Sequence, residues 1–312
     1  MAADEYSRFT RRTVLTGAAA VLAAGVTAAP PRAAAAAAPT ALRAATVRDG
    51  RVLALTADEA GHYAIRPVEA DAGRRVELGP PLEVSLPERF HPHSIAAVGG
   101  TLWITGAVDA GRHRALPGLF RVETDRAEAV ALPVPDPIRS GAATSIAPLG
   151  AEALAVAVEG GPDPHAALIA RSHLALSADG GLTWTDRPLA ADLGEGYGTV
   201  LAGHDGRLYA VAADGAGDQT VYSGLIDAEI EPVAAEPGAG RPMAAVATGG
   251  DQVAVFSDRD GSVHGARYGR DGRRPESAGH GGGRTGEVVA VQGRPNAWLE
   301  TEDDRVSARG LG

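Results

Sequence analysis

The chain has 312 residues, with 39 acidic against 29 basic side chains and a net charge of −10, and it contains neither cysteine nor lysine. The absence of cysteine excludes disulfides, thiolate metal sites and cysteine nucleophiles. The acidic balance disfavours nucleic-acid backbones and anionic lipid surfaces as partners.

In chain order, the first segment is polar and basic, Ser7-Arg8-Phe9-Thr10-Arg11-Arg12-Thr13-Val14-Leu15. A weakly apolar stretch from Thr16 to Ala29 follows, then Pro30-Pro31-Arg32 and the alanine tract Ala33–Ala38, which offers small-x-small cleavage frames. This layout resembles the twin-arginine (Tat) signal family, with Arg11 and Arg12 as the pair. The resemblance implies a removable signal over residues 1–38, folding before export, and a secreted or cell-envelope location. Residues 39–312 are then expected to form a single domain. No later apolar run approaches the roughly 20 residues that cross a bilayer.

From Leu42 onward a unit of about fifty residues recurs: apolar strand, tight turn, apolar strand, Asp- or Gly-bearing turn, third strand. The leading pairs are Leu42–Val47 with Arg51–Thr56, Ser94–Val98 with Thr101–Thr105, and Ser145–Leu149 with Ala153–Val158. They continue as Thr199–Ala202 with Arg207–Ala212, Ala244–Ala247 with Gln252–Phe256, and Glu287–Val291 with Asn296–Thr301. Turns such as Arg48-Asp49-Gly50 and Gly203-His204-Asp205-Gly206 supply the residues hairpins need at positive φ. Third strands follow, among them Tyr63–Val68 and Arg305–Arg309, and more polar fourth strands, among them Ala127–Val134 and Ile230–Ala235. The repeat predicts an all-β fold, a β-propeller of six blades with three to four antiparallel strands each. Ring closure is its weak point, because the last repeat ends without a fourth strand.

One segment carries a family motif. Ser177-Ala178-Asp179-Gly180-Gly181-Leu182-Thr183-Trp184 fits S-x-D-x-G-x-T-W, with Ser177, Asp179, Gly181, Thr183 and Trp184 at the fixed positions. It resembles the Asp-box, or BNR repeat, of sialidase-like propellers. The resemblance implies a blade hairpin stabilised by Asp179, lying away from the catalytic face, and a link to carbohydrate. The arginine and nucleophile pattern of active sialidases has no match, since Ile65-Arg66-Pro67 is in the wrong order and on a third strand.

Loops that enter the innermost strands of a propeller converge on one mouth of the channel. By the repeat register these loops carry Arg89, His91, His93, Arg139, Ser140, Glu195, Tyr197, Arg241, Arg284 and Thr285. Arg139, Arg241 and Arg284 form a candidate clamp for a carboxylate or phosphate. Glu195 and Tyr197 form a candidate nucleophile pair. His91-Pro92-His93 offers at most half of a metal site, to be completed by Glu195 or His165, so neither metal nor cofactor is expected. The sequence is read as an exported monomeric module that binds an acidic glycan or an envelope protein. The alternative is a divergent sialidase-like glycoside hydrolase.

Overall fold

The computed structural model describes residues 41–70, 76–111, 114–123, 125–136, 138–164, 169–249, 251–269, 286–302 and 305–311. The signal segment and Arg284, Thr285 and His165 lie outside the described residues.

Six antiparallel blades follow one another along the described residues, the first and the sixth joined into one seven-stranded sheet. The first blade holds β1 (Ala41–Arg48), β2 (Arg51–Ala57), β3 (Tyr63–Ala70) and β4 (Val76–Leu78). The second holds β5 (Phe90–Val98), β6 (Thr101–Asp109), β7 (Ala115–Val122) and β8 (Ala127–Ala129). The third holds β9 (Ser140–Pro148), β10 (Leu154–Gly161), β11 (Arg171–Ser177) and β12 (Thr185–Ala190). The fourth holds β13 (Gly198–His204), β14 (Arg207–Ala213), β15 (Gln219–Leu225) and β16 (Glu231–Glu236). The fifth holds β17 (Arg241–Ala247), β18 (Gln252–Arg259) and β19 (Ser262–Gly269), and the sixth β20 (Glu287–Gln292), β21 (Trp298–Glu302) and β22 (Arg305–Arg309). Fold class and repeat register therefore agree with the sequence. The fourth strand of the second blade is shorter than expected, because Pro133 and Pro135 cannot donate to a ladder.

The first hairpins turn where Asp and Gly adopt positive φ. Asp49 and Gly50 lie at 52° and 74°, and Asp205 and Gly206 at 49° and 78°. Two consecutive positive values match the right-handed twist of the flanking strands.

A blade buried on both faces reads as continuous apolar sequence, and β10, Leu-Ala-Val-Ala-Val-Glu-Gly-Gly, is buried throughout. Its Leu154, Val156 and Val158 pack toward the second blade, while Ala155 and Ala157 pack toward the fourth. Six apolar clusters result, one at each interface between neighbouring blades.

Closure runs through inner strands. β20 pairs in parallel with β1 at Ala45↔Val291 and Thr46↔Gln292. Leu42, Ala45, Val52 and Ala54 of the first blade share a core with Val289, Val291, Ala297, Leu299 and Ala308 of the sixth. Buried Thr46 ties three blades together: its hydroxyl donates to the Gln292 carbonyl at 3.1 Å and accepts the Ala97 amide at 2.9 Å. The Gln292 side chain donates to the Leu201 carbonyl of the fourth blade at 2.9 Å.

The Ser177–Trp184 hairpin joins β11 to β12. Asp179 accepts the Thr183 hydroxyl at 2.6 Å, the Thr183 amide at 2.9 Å and the Ser177 hydroxyl at 2.8 Å. Those bonds, the Thr183 hydroxyl foremost, hold the Asp179 carboxyl down at about 2. Gly181, at φ 79°, sits so close to the Trp103 ring that a Cβ would fall 2.5 Å from it. Trp184 stands just before β12, donates to the Gly181 carbonyl at 3.1 Å and packs on the core between the second and third blades. The Gly180 amide bonds Glu152 in the turn after β9, which puts this hairpin at the end of the channel where inner strands finish.

Thr46→Val keeps the shape of this side chain and removes both inter-blade bonds. It should lower unfolding stability by about 1–3 kcal/mol, read as a fall in urea midpoint with the slope unchanged.

Candidate functional site at the entry mouth

All six inner strands run the same way, so their first residues gather at one mouth. Four of them are irregular there. The pairing register shifts between Leu42 and Ala44, between Pro92 and Ser94, between Ala143 and Ser145, and between Pro242 and Ala244. Each shift leaves one residue unpaired: Arg43, His93, Thr144 and Met243. A bulge of this kind re-aims a side chain next to a site. In the fourth and sixth blades, which show no such shift, the positions at matching spacing are Thr199 and Glu287, so Arg43, His93, Thr144, Thr199, Met243 and Glu287 take equivalent places around the ring of blades.

Neighbours in this ring interact. Glu287, opening β20, is largely enclosed, and burial raises its carboxyl above the usual value of 4.5. The guanidiniums of Arg43 and Arg241 oppose that rise, so both stand within electrostatic reach of it. Strand β17 alternates, with Ala244 and Val246 packed toward the sixth blade and Ala245 and Ala247 toward the fourth. Pro242 pairs with Ser257, which bonds Gln219 of the fourth blade, so the adjacent Arg241 turns toward the sixth blade and Glu287.

Solvent reaches His93, although protein surrounds it on every side, as expected of a side chain in a lumen. That enclosure pushes its imidazole down to about 4, helped by the nearby His91 and Arg43. The Ala143 backbone of the third blade opposes that fall. His91 contacts Tyr63 edge-on at 6.5 Å.

Glu159 on β10 is fully buried. The hydroxyls of Thr144 and Thr199 each meet one of its carboxyl oxygens at 2.5 Å, and Ser172 meets Thr199 at 2.8 Å. Burial raises the Glu159 carboxyl, only partly opposed by these hydroxyls. The protonated acid fits the network, since it can donate to one hydroxyl, which donates onward. Gly198, at φ 98°, leaves room beside it, because a Cβ there would lie 3.3 Å from Oε2.

Of the two described arginines of the expected clamp, Arg241 stands at the mouth, at the start of β17 beside the bulge, and Arg139 is drawn to the surface. Arg139 is exposed and paired with Asp136 at 3.1 Å, while its carbonyl accepts the Arg114 side chain at 3.0 Å. Glu195 and Tyr197 are exposed on the loop from β12 to β13, whose backbone is pinned by Gly196 to Ile169 and Tyr197 to Ala213. The bulge at His93 breaks the strict alternation that would put it on one side with His91. Among the described residues no three His, Asp or Glu side chains are grouped to hold a metal ion. Arg43 and Glu287 lie inside strands and were missed by a search of loops. Applying the repeat spacing to strand positions would have found them.

No protein-family model matches the sequence, and no curated protein matches it. Solved structures do resemble the fold. The SapL1 lectin in complex with alpha methyl fucoside aligns at 12% identity over 85% of this chain and 88% of that one, with a TM-score of 0.56. An Aleuria aurantia lectin mutant in complex with alpha-methyl-L-fucoside aligns at 11% over 86% and 93%, with a TM-score of 0.53. The Hadza microbial sialidase Hz136 aligns at 13% over 86% of this chain and 65% of that one, with a TM-score of 0.55. At such identities the likeness establishes the fold, a β-propeller.

The Glu159 network generates a pH test. A carboxyl raised by folding contributes stability below its unfolded value, here about 4.5, and loses that contribution as pH rises through the folded value. Glu159→Gln should therefore raise the melting temperature at pH 8 and leave it nearly unchanged at pH 4, read by thermal melts at both pH values.

Proposed function

We propose that this protein is an exported β-propeller that binds an acidic glycan at the entry mouth of its channel. The observation that carries the reading is the placement of two arginines at the entry mouth, Arg43 bulged from β1 of the first blade and Arg241 opening β17 of the fifth, on the strands that flank β20 of the sixth. Two guanidiniums carried by the strands on either side of β20, in a chain of net charge −10, offer a local seat for an anion. A carboxylate on a sugar fits that seat, and the neutral His93 offers a hydrogen bond to a ring hydroxyl. The carbohydrate-related names of the lectin and sialidase neighbours support a glycan. The Arg11-Arg12 pair and alanine tract support export by the twin-arginine route, and the Ser177–Trp184 hairpin supports kinship with Asp-box propellers.

A hydrolase remains the second reading, because burial raises the Glu287 carboxyl above its usual value, the direction a general acid needs. Such chemistry also needs a second carboxylate or an activated tyrosine facing it.

Thermal melts of the full chain with N-acetylneuraminate, glucuronate and L-fucose test the binding reading. A ligand at 100 times its dissociation constant adds about 2.7 kcal/mol. The acidic sugars should raise the melting temperature, and Arg43→Ala or Arg241→Ala should abolish the shift. A shift given by fucose and retained in both variants would sink the proposal. Release of free N-acetylneuraminate from a sialoside, lost in Glu287→Gln, would favour the hydrolase instead.

A further inference from the structure

Sulfur occurs in this chain only in Met1 and Met243, since there is no cysteine. Met243 is the residue left unpaired by the bulge between Pro242 and Ala244 of β17. Side chains of a regular strand alternate, which would put Met243 on the side of Ala245 and Ala247, packed toward the fourth blade. It packs instead on the opposite side, against the cluster of Ala244, Val246, Phe256 and Val288 between the fifth and sixth blades. The bulge has turned it across the strand. Residues 244–247 are buried, whereas Met243 is half-buried and stands two residues from the exposed Arg241 that opens the strand at the mouth.

One part of the Met243 side chain is thus covered by apolar core and the rest is open at the mouth. A thioether is flexible and polarizable enough to fill such an irregular place, and it takes up oxygen. We propose that Met243 is a modification site, oxidised to the sulfoxide by hydrogen peroxide at the mouth, and that the sulfoxide loosens the interface between the fifth and sixth blades. A sulfur lone pair forms the S–O bond to one peroxide oxygen as the O–O bond breaks. The displaced hydroxide takes the proton of the transferred hydroxyl and leaves as water. Sulfur gives up two electrons and the peroxide gains them.

The loosening follows from the surroundings. A sulfoxide is polar, and a polar oxygen held in an apolar contact without a donor is destabilising. The Ala, Val and Phe side chains of the cluster have no donor to give, and the Trp298 indole beside it already donates to Glu300 at 2.7 Å. The oxidised side chain therefore leaves the cluster for the mouth. Among the described residues the fifth and sixth blades have three strands each, against four in the others, so less surface shares the loss. The inference stands apart from the glycan reading, because it involves no sugar.

The test adds hydrogen peroxide to the full chain in native buffer and in guanidinium chloride, and locates the added oxygen by peptide mapping. Met243 of the folded protein should gain one oxygen nearly as fast as in the denaturant. Complete oxidation there should lower the melting temperature, and methionine sulfoxide reductases should restore it. Met243→Leu, given the same peroxide, should show no fall. The reductase reversal needs no variant, so it decides the matter even where the leucine protein folds poorly. Met243 left unmodified in the folded protein, under conditions that oxidise it in guanidinium chloride, would overturn the site. A melting temperature unchanged by complete oxidation, or an equal fall in Met243→Leu, would overturn the loosening.

Discussion

Everything in this molecule depends on the fact that a single blade cannot bury both of its own faces. A three- or four-stranded sheet rich in Val, Leu and Ala exposes two apolar surfaces, and only neighbours on each side can cover them. Six blades cover one another in a ring, and each interface has its own cluster of buried side chains. Alanine and glycine on the inner strands let the blades converge. Their lack of bulk is compensated by polar links such as Thr46, which bonds the sixth and second blades from the first.

The same constraint creates the site. Inner strands packed at the axis have little room for long side chains, and most positions there are small. Where Arg43, His93, Thr144 and Met243 occur, the strand bulges. The ladder is interrupted at the mouth rather than mid-strand, so its disruption falls where side chains must reach the lumen. The ring is electrostatically divided. One side, around Glu159, is a closed network of hydroxyls on a buried acid and links the third and fourth blades. The other, around Glu287, has an arginine on each flanking strand, Arg43 and Arg241. The first suits a structural latch and the second an exchangeable contact.

Much of the fold was legible because its signals are local and repeated. Asp-Gly and Gly-Gly turns mark hairpins, alternating apolar strands mark blades, and the spacing of about fifty residues gives their number. The last strand, Arg305–Arg309, was read at its observed bounds. Closure was not legible, since the pairing of Thr46 with Gln292 joins residues at opposite ends of the sequence and needs no extra strand. The site was legible only in part. Arg241 stands where a loop meets a strand and was found, whereas Arg43 and Glu287 look like ordinary strand residues. A bulge adds one residue to a strand without changing its composition, so hydrophobic alternation does not reveal it. Arg139 shows the converse: a mouth position by register, yet tied to Asp136 at the surface.

The central claim, that the Arg43–Glu287–Arg241 cluster is where a ligand binds, is tested most directly by a crystal structure of the chain grown with N-acetylneuraminate. The account predicts the sugar carboxylate at the entry mouth, bonded by Arg43 and Arg241. A sugar bound at the outer rim between blades, with neither Arg43 nor Arg241 in contact with it, would contradict it.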